Sequence, residues 1–136
     1  MNTQLTILDE LGGGDGRSIG RTSQVVAIIR RQPELFPALI DRMHHDDEVV
    51  RMRAADALEK LTVTNPEWIQ PFRVQLIKLA ARATQQELRR HLAQVLPRLE
   101  LSRRDHVIVV AVFRRYLQDQ SRIVMTFAMQ GLTDLA

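Results

Sequence analysis

The sequence predicts an all-α protein built from helix pairs that repeat along the chain. A pattern of apolar residues that begins at Val50 recurs thirty-eight residues later at Leu88, and thirty-six residues after that at Val124. The apolar residues that match across the three copies are Val50, Leu88 and Val124; Ala54, Leu92 and Ala128; Leu58, Leu96 and Leu132; and Leu61, Leu99 and Leu135. A repeated unit of this length cannot bury its apolar face alone, so each copy must stack on its neighbours.

Composition favours helices that pack through small and aliphatic side chains. Aromatic residues make up only 4% of the 136 residues, whereas apolar residues as a whole reach 45%. This length and apolar content are typical of one domain with a hydrophobic core, so we predict a single domain over residues 1–136. Because the chain has no cysteine, disulfides and thiolate metal sites are excluded.

Residues 1–20 are predicted to form an N-terminal helix followed by a glycine-rich loop. Leu5, Leu8 and Leu11 are spaced as on one face of a short helix, and the glycines from Gly12 to Gly16 then break regular structure. The loop lacks the lysine and the preceding strand of a phosphate-binding loop, and its spacing does not match the dinucleotide motif. We therefore predict a hinge.

Three repeat units are predicted to follow, over residues 21–65, 66–101 and 102–136. In the first two units, Pro33-Glu34 and Pro66-Glu67 are predicted to open helices. Proline is favoured at the first helical position, and an acidic side chain suits the positive end of the helix dipole.

The last unit contains the β-branched run Val107 to Val110, which by itself could form a strand. No other segment offers it a partner strand, so we predict a helix there and a second helix from about Arg122 to Leu135. A polar capping helix does not follow, although terminal repeats need a polar outer face. Either a second copy of the chain covers the C-terminal repeat, as in a homodimer, or the outer helix is itself polar enough.

The stretch Asp47-x-x-Val50-Arg51-x-x-Ala54-Ala55-x-Ala57-Leu58-x-x-Leu61 closely resembles the second helix of the HEAT repeat, the two-helix unit of HEAT and armadillo α-solenoids. The resemblance covers about residues 23–136. It implies a right-handed α-α superhelix of about three helix pairs, preceded by N-terminal helices. Gln85 replaces the acidic residue in the second copy and Met125 replaces the arginine in the third. A ladder of Asp–Arg pairs along the stack would therefore stop at the third copy.

The resemblance implies a non-catalytic scaffold that binds another protein on its concave surface, which the second helices line in HEAT-like solenoids. The residues predicted to face the partner are Arg53, Asp56, Arg90, His91, Gln94, Arg98, Phe127 and Gln130. Amides and carboxylates flanked by arginines can bind a peptide through hydrogen bonds and forked contacts. The same residues also fit the ordinary polar face of a surface helix.

Catalysis, metal binding and cofactor binding are not predicted. The chain contains no Gly-x-Ser-x-Gly, no His-Glu-x-x-His and no paired catalytic carboxylates. The cluster His44 to Glu48 falls in a turn, where Asp46 or Asp47 would cap the next helix. A DNA-glycosylase-like activity, found in some HEAT-like proteins, would need a catalytic aspartate in an aromatic cleft, and no such pair is evident.

Charge is distributed unevenly and leaves nucleic-acid binding open as the alternative function. Residues 1–69 carry a balance of −3 and residues 70–136 a balance of +6, and seventeen of the nineteen basic residues are arginine. A basic C-terminal half attracts phosphate, but it lacks the interleaved aromatic residues that stack on bases. Four arginines are candidate contacts for an anionic group, because they lie near predicted helix starts: Arg17, Arg21, Arg103 and Arg104.

Location is predicted to be cytoplasmic, without membrane association. The N-terminal residues lack the basic region and the apolar run of a signal peptide. The longest apolar run, Val107 to Phe113, is too short to span a bilayer.

Overall fold

The computed structural model describes the backbone of residues 18–136 and the side chains from Thr22 onward. The predicted N-terminal helix, the glycines of the loop and the side chains of Arg17 and Arg21 lie outside the described residues. Over the described range the chain is all-α, which confirms the predicted fold class. The helices are α1 (Ser18–Arg31), α2 (Phe36–Arg42), α3 (Glu48–Thr64), α4 (Arg73–Arg82), α5 (Gln86–Val95), α6 (Arg103–Tyr116) and α7 (Arg122–Leu135). None of them combines the length and the hydropathy of a membrane span.

Helix α1 begins at Ser18, earlier than predicted, so the end of the predicted glycine-rich loop is helical. Gly20 is accommodated within α1, because a single glycine costs a helix only about 1 kcal/mol relative to alanine. The run Val107 to Val110 lies within α6, so it is helical as predicted.

Pro33 and Pro66 open 3₁₀ segments, Pro33–Leu35 and Pro66–Phe72, rather than the α-helices that were predicted to start there. The physical reason is a second proline a few residues on. Pro37 and Pro71 have no N–H with which to close an α-helical bond to the carbonyl four residues earlier. The α-helices α2 and α4 therefore begin only at Phe36 and Arg73.

The chain divides into two compact units, here called the N-terminal unit (Met1–Leu61) and the C-terminal unit (Thr62–Ala136). In the N-terminal unit, the turn before α3 has the predicted capping role, since Asp47 Oδ1 accepts a hydrogen bond from the N–H of Val49 at 2.8 Å. Arg51 Nη1 donates to the carbonyls of His45 and Asp46, both at 2.9 Å, and so ties the first turn of α3 to the preceding loop. The fully buried core residues of this unit are Val25, Ile29, Leu39, Ile40, Met43, Ala54, Ala57, Leu58 and Leu61.

In the C-terminal unit, α7 packs closely against both α5 and α6. The close approach of α6 and α7 depends on Gly131, because a Cβ at that position would lie 2.9 Å from Cδ2 of Phe113. The largest fully buried side chains of this unit are Ile69, Leu76, Phe113 and Tyr116.

A network around Tyr116 joins α4, α5 and α6. The Tyr116 hydroxyl donates to the Ala80 carbonyl at 2.5 Å, and the guanidinium of Arg89 lies 4.9 Å from the centre of the tyrosine ring. Arg89 also donates to the Ala83 carbonyl at 2.6 Å and pairs with Asp119 at 2.9 Å. Burial of the phenol raises the pKa of Tyr116 well above its ordinary value, against the opposing field of Arg89. The ion pair between Arg89 and Asp119 links α5 to the turn between α6 and α7.

Candidate partner-binding groove

A groove of about 330 Å³ lies in the C-terminal unit, where the end of α5 and the 3₁₀ turn Leu96–Arg98 face α7. The residues that line it are Ala93, Gln94, Pro97, Arg98, Phe127, Gln130, Gly131 and Asp134. Side chains of helices α5 and α7 meet there because the two helices are aligned copies of the same repeat element. On each of these two helices, the partly exposed residues lie next to the apolar residues that pack against the neighbouring helix.

Four of the predicted partner-facing residues line this groove together: Gln94, Arg98, Phe127 and Gln130. Gln94, Arg98 and Phe127 are half-buried, whereas Gln130 is exposed. The groove thus combines two amides, one guanidinium and one partly covered aromatic ring. That combination can donate to and accept from a peptide backbone while covering one apolar side chain.

Internal hydrogen bonds hold the polar side chains of the groove in place. Arg98 Nη1 donates to Thr62 Oγ1 at 2.8 Å, and Gln130 Nε2 donates to Asp134 Oδ1 at 2.9 Å. Gln94 Nε2 donates to the Arg90 carbonyl at 3.3 Å. Side chains that are already ordered lose less entropy on binding than free ones would, which favours affinity.

Two of the predicted residues, Arg53 and His91, were expected to face solvent, and that expectation is wrong. Only 6% of Arg53 and 4% of His91 is exposed. The prediction treated only the regular apolar stripe as buried. A helix with neighbours on more than one side buries a wider arc, which includes the position next to the stripe.

The remaining predicted residues are outside the groove. Asp56 lies in the N-terminal unit and pairs with Lys60 one helical turn away. Arg90 is half-buried on α5 and offers its backbone carbonyl to Gln94. Arg103 and Arg104 are exposed in the first turn of α6, and Arg104 lines a different cleft, which is described below.

Sequence comparison of the repeats missed Gly131 and Pro97, although a signal for Gly131 was present. Gly131 aligns with Ala57 and Val95, both fully buried, so a residue without a side chain stands where the other copies carry one. Its missing side chain admits the Phe113 ring, and the residue also lines the groove. Asp134 aligns with Arg98, and both residues line the groove.

Several arginines of the basic C-terminal half are engaged within the protein. Arg73 pairs with Asp105 at 2.9 Å, Arg89 pairs with Asp119, and Arg115 donates to the carbonyl of Ala81. Besides Arg115, the exposed basic residues of this half are Lys78, Arg82, Arg103, Arg104, Arg114 and Arg122. Part of the excess positive charge therefore serves internal contacts rather than an open phosphate-binding face.

A family model described as a HEAT repeat domain matches residues 16–110, which is more than half of the chain. The matched range contains the complete helices α1 to α5 and ends within α6. No curated protein and no solved structure matches the chain. The repeated apolar register, the all-α fold and the family match agree, and the chain belongs to the HEAT-repeat family.

Proposed function

We propose that the protein is a non-catalytic interaction scaffold that binds a segment of another protein in the groove between α5 and α7. HEAT repeats generally mediate contacts between proteins, and the family is typically non-catalytic. The observation that carries the proposal is the convergence of Gln94, Arg98, Phe127 and Gln130 on one groove. The repeat register alone predicts that these four residues face a partner.

The chemistry of the groove suits an extended peptide. The amides of Gln94 and Gln130 can each pair with a backbone N–H or C=O, and Asp134 and Arg98 provide one charge of each sign. The half-buried ring of Phe127 can cover an apolar side chain of the partner. The volume of about 330 Å³ accommodates a few side chains rather than a folded domain.

Protein binding is favoured over nucleic-acid binding by the same geometry. The groove carries opposite charges and one aromatic ring, whereas single-stranded nucleic acid needs a basic track with successive stacking platforms. The arginines that are tied to Asp105 and Asp119 are also less available to phosphate.

The test is site-specific photo-crosslinking in the cells from which the protein comes. A benzophenone amino acid replaces Gln130, and cross-linked proteins are identified by mass spectrometry with and without nuclease treatment. The second arm blocks the groove by Gln94→Arg together with Phe127→Arg, because both residues line it. We expect a defined protein that resists nuclease and whose yield falls by about tenfold in the blocked variant.

The matched control places the same number of new arginines outside the groove, as Gln118→Arg with Gln120→Arg. Both residues are exposed and lie in the turn between α6 and α7. The control must retain the wild-type yield. Equal cross-linking in all three proteins would reject the groove, and products lost on nuclease treatment would favour the nucleic-acid alternative.

A further inference from the structure

A second cleft, of about 440 Å³, separates α4 from α6 in the C-terminal unit. Its lining residues are Arg73, Val74, Ile77, Lys78, Ala81, Ser102, Arg104, Asp105 and Ile108. None of them belongs to the groove between α5 and α7, so the two sites can be tested separately.

The walls of this cleft are apolar and open to solvent. Val74 on α4 is 50% exposed and Ile108 on α6 is 38% exposed, while Ile77 is buried at the base. Aliphatic side chains that face each other across a cavity gain free energy when a partner removes them from water. Exposed apolar patches with polar rims mark sites of interaction on soluble proteins.

The rim of the cleft is positively charged. Lys78 and Arg104 are exposed, and neither forms an ion pair within residues 18–136. The single carboxylate of the lining, Asp105, is already paired with Arg73 at 2.9 Å. The pair neutralises itself, so that the net field at the mouth comes from Lys78 and Arg104.

The start of α6 adds to this field. Ser102 Oγ accepts a hydrogen bond from the N–H of Asp105 at 3.1 Å, which defines the helix start at the edge of the cleft. A helix N-terminus carries a partial positive charge. The dipole and the two exposed cations therefore favour a negatively charged occupant.

We propose that this cleft is a second docking site, which binds an acidic amphipathic segment of a partner protein. Apolar side chains of the segment insert between Val74 and Ile108, and its carboxylates pair with Lys78 and Arg104. The apolar walls and the cationic rim together select for a segment in which Leu, Ile or Phe alternates with Asp or Glu. The lining contains no aromatic residue on which a nucleic-acid base could stack.

The experiment selects binders from a random dodecapeptide library displayed on phage, with the full chain as bait. The strongest peptides are synthesised with a fluorophore, and their Kd is measured by fluorescence polarisation. Methyl NMR spectra of the protein then show whether the resonances of Val74, Ile77 and Ile108 shift on binding. We expect acidic, apolar peptides that shift these methyl groups and bind more weakly as salt is raised.

Two variants examine the two halves of the proposal. Lys78→Glu with Arg104→Glu reverses the charge of the rim, and we expect the Kd for the peptides to rise by about tenfold or more. Val74→Gln with Ile108→Gln makes the exposed walls polar, and a comparable loss is expected. The matched control is Arg82→Glu with Arg114→Glu, which makes the same charge change at exposed positions of the same two helices, outside the cleft.

The proposal is overturned if the library yields no binder, if the selected peptides lack acidic residues, or if they shift methyl groups elsewhere in the chain. It is also overturned if the rim variant and the control weaken binding equally, since only a general attraction to positive charge would then be present. A single-stranded oligonucleotide that binds in the cleft more tightly than every selected peptide would reject a protein partner.

Discussion

Helices α5 and α7 are aligned copies of one repeat element, yet the same positions have different surroundings in the two. Ala93 is 1% exposed, whereas Met129, which aligns with it, is 54% exposed. Leu96 is fully buried, whereas the aligned Leu132 is half-buried. Within residues 18–136, α5 has α7 packed beside it, and no later helix packs on α7 in the same way. The repeat register determines which side chains can pack against a neighbouring helix. Whether such a helix is present determines how far those side chains are buried and how much they stabilise the fold.

The largest expected effect is the contrast between Leu96→Ala and Leu132→Ala. Truncation of the fully buried Leu96 leaves a cavity and should lower the free energy of unfolding by about 2–5 kcal/mol. Truncation of the half-buried Leu132 should lower the free energy of unfolding by about 1 kcal/mol, because part of its surface already contacts water. Urea denaturation of both variants measures the difference. Equal losses would show that α7 is covered in solution by something beyond the described chain, such as a second copy.

Gly131→Ala should destabilise the protein by about 1–3 kcal/mol, because the new Cβ collides with the ring of Phe113. The direction of the change in stability is informative, since a glycine-to-alanine substitution within a helix would otherwise stabilise the protein by about 1 kcal/mol. Thermal denaturation gives the change, and Phe113→Leu combined with Gly131→Ala should recover part of the loss. A stabilised single variant would contradict the close approach of α6 and α7.

Tyr116→Phe should cost about 1 kcal/mol at neutral pH, because the hydrogen bond to the Ala80 carbonyl is lost. The pKa of Tyr116 is raised in the folded state, so above the ordinary tyrosine value near 10.0 the unfolded chain releases its proton first. Folding stability should therefore fall as the pH rises above that value. Urea denaturation at several alkaline pH values should show a steeper fall for the wild type than for Tyr116→Phe. Parallel curves would refute the burial of the phenol.

Met129→Gln should change the free energy of unfolding by less than about 0.5 kcal/mol, since most of the side chain is in water. Ala93→Gln, at the aligned buried position, should be clearly destabilising, because a long polar side chain must enter the packing of α5. Urea denaturation of the two variants measures how differently α5 and α7 tolerate the same substitution at aligned positions. If Met129→Gln proves costly, the exposed face of α7 is an interface, and light scattering would then show whether a homodimer forms.

Four of the residues predicted to face a partner, Gln94, Arg98, Phe127 and Gln130, line one groove, because aligned repeats place aligned residues on the same face. That these residues bind a partner stays a prediction. Arg53 and His91 were misplaced because the width of the buried arc depends on how many neighbours a helix has, and the sequence does not state that number. The ion pair between Arg89 and Asp119 was also not predicted. In the repeat alignment the acidic position of the third copy falls at Ser121, and Asp119 lies two residues before it.

The sequence by itself determined the helical class, the repeat register and membership of the HEAT-repeat family. These properties rest on periodicity, which requires only that apolar side chains recur once per repeat on one face. Tertiary structure alone decided where α-helix gives way to 3₁₀ turns, which arginines are tied to carboxylates, and which polar positions converge on a groove or a cleft. Those outcomes depend on distances of a few ångströms between segments about thirty residues apart, such as Arg89 and Asp119 or Tyr116 and Ala80, and on the water excluded between them.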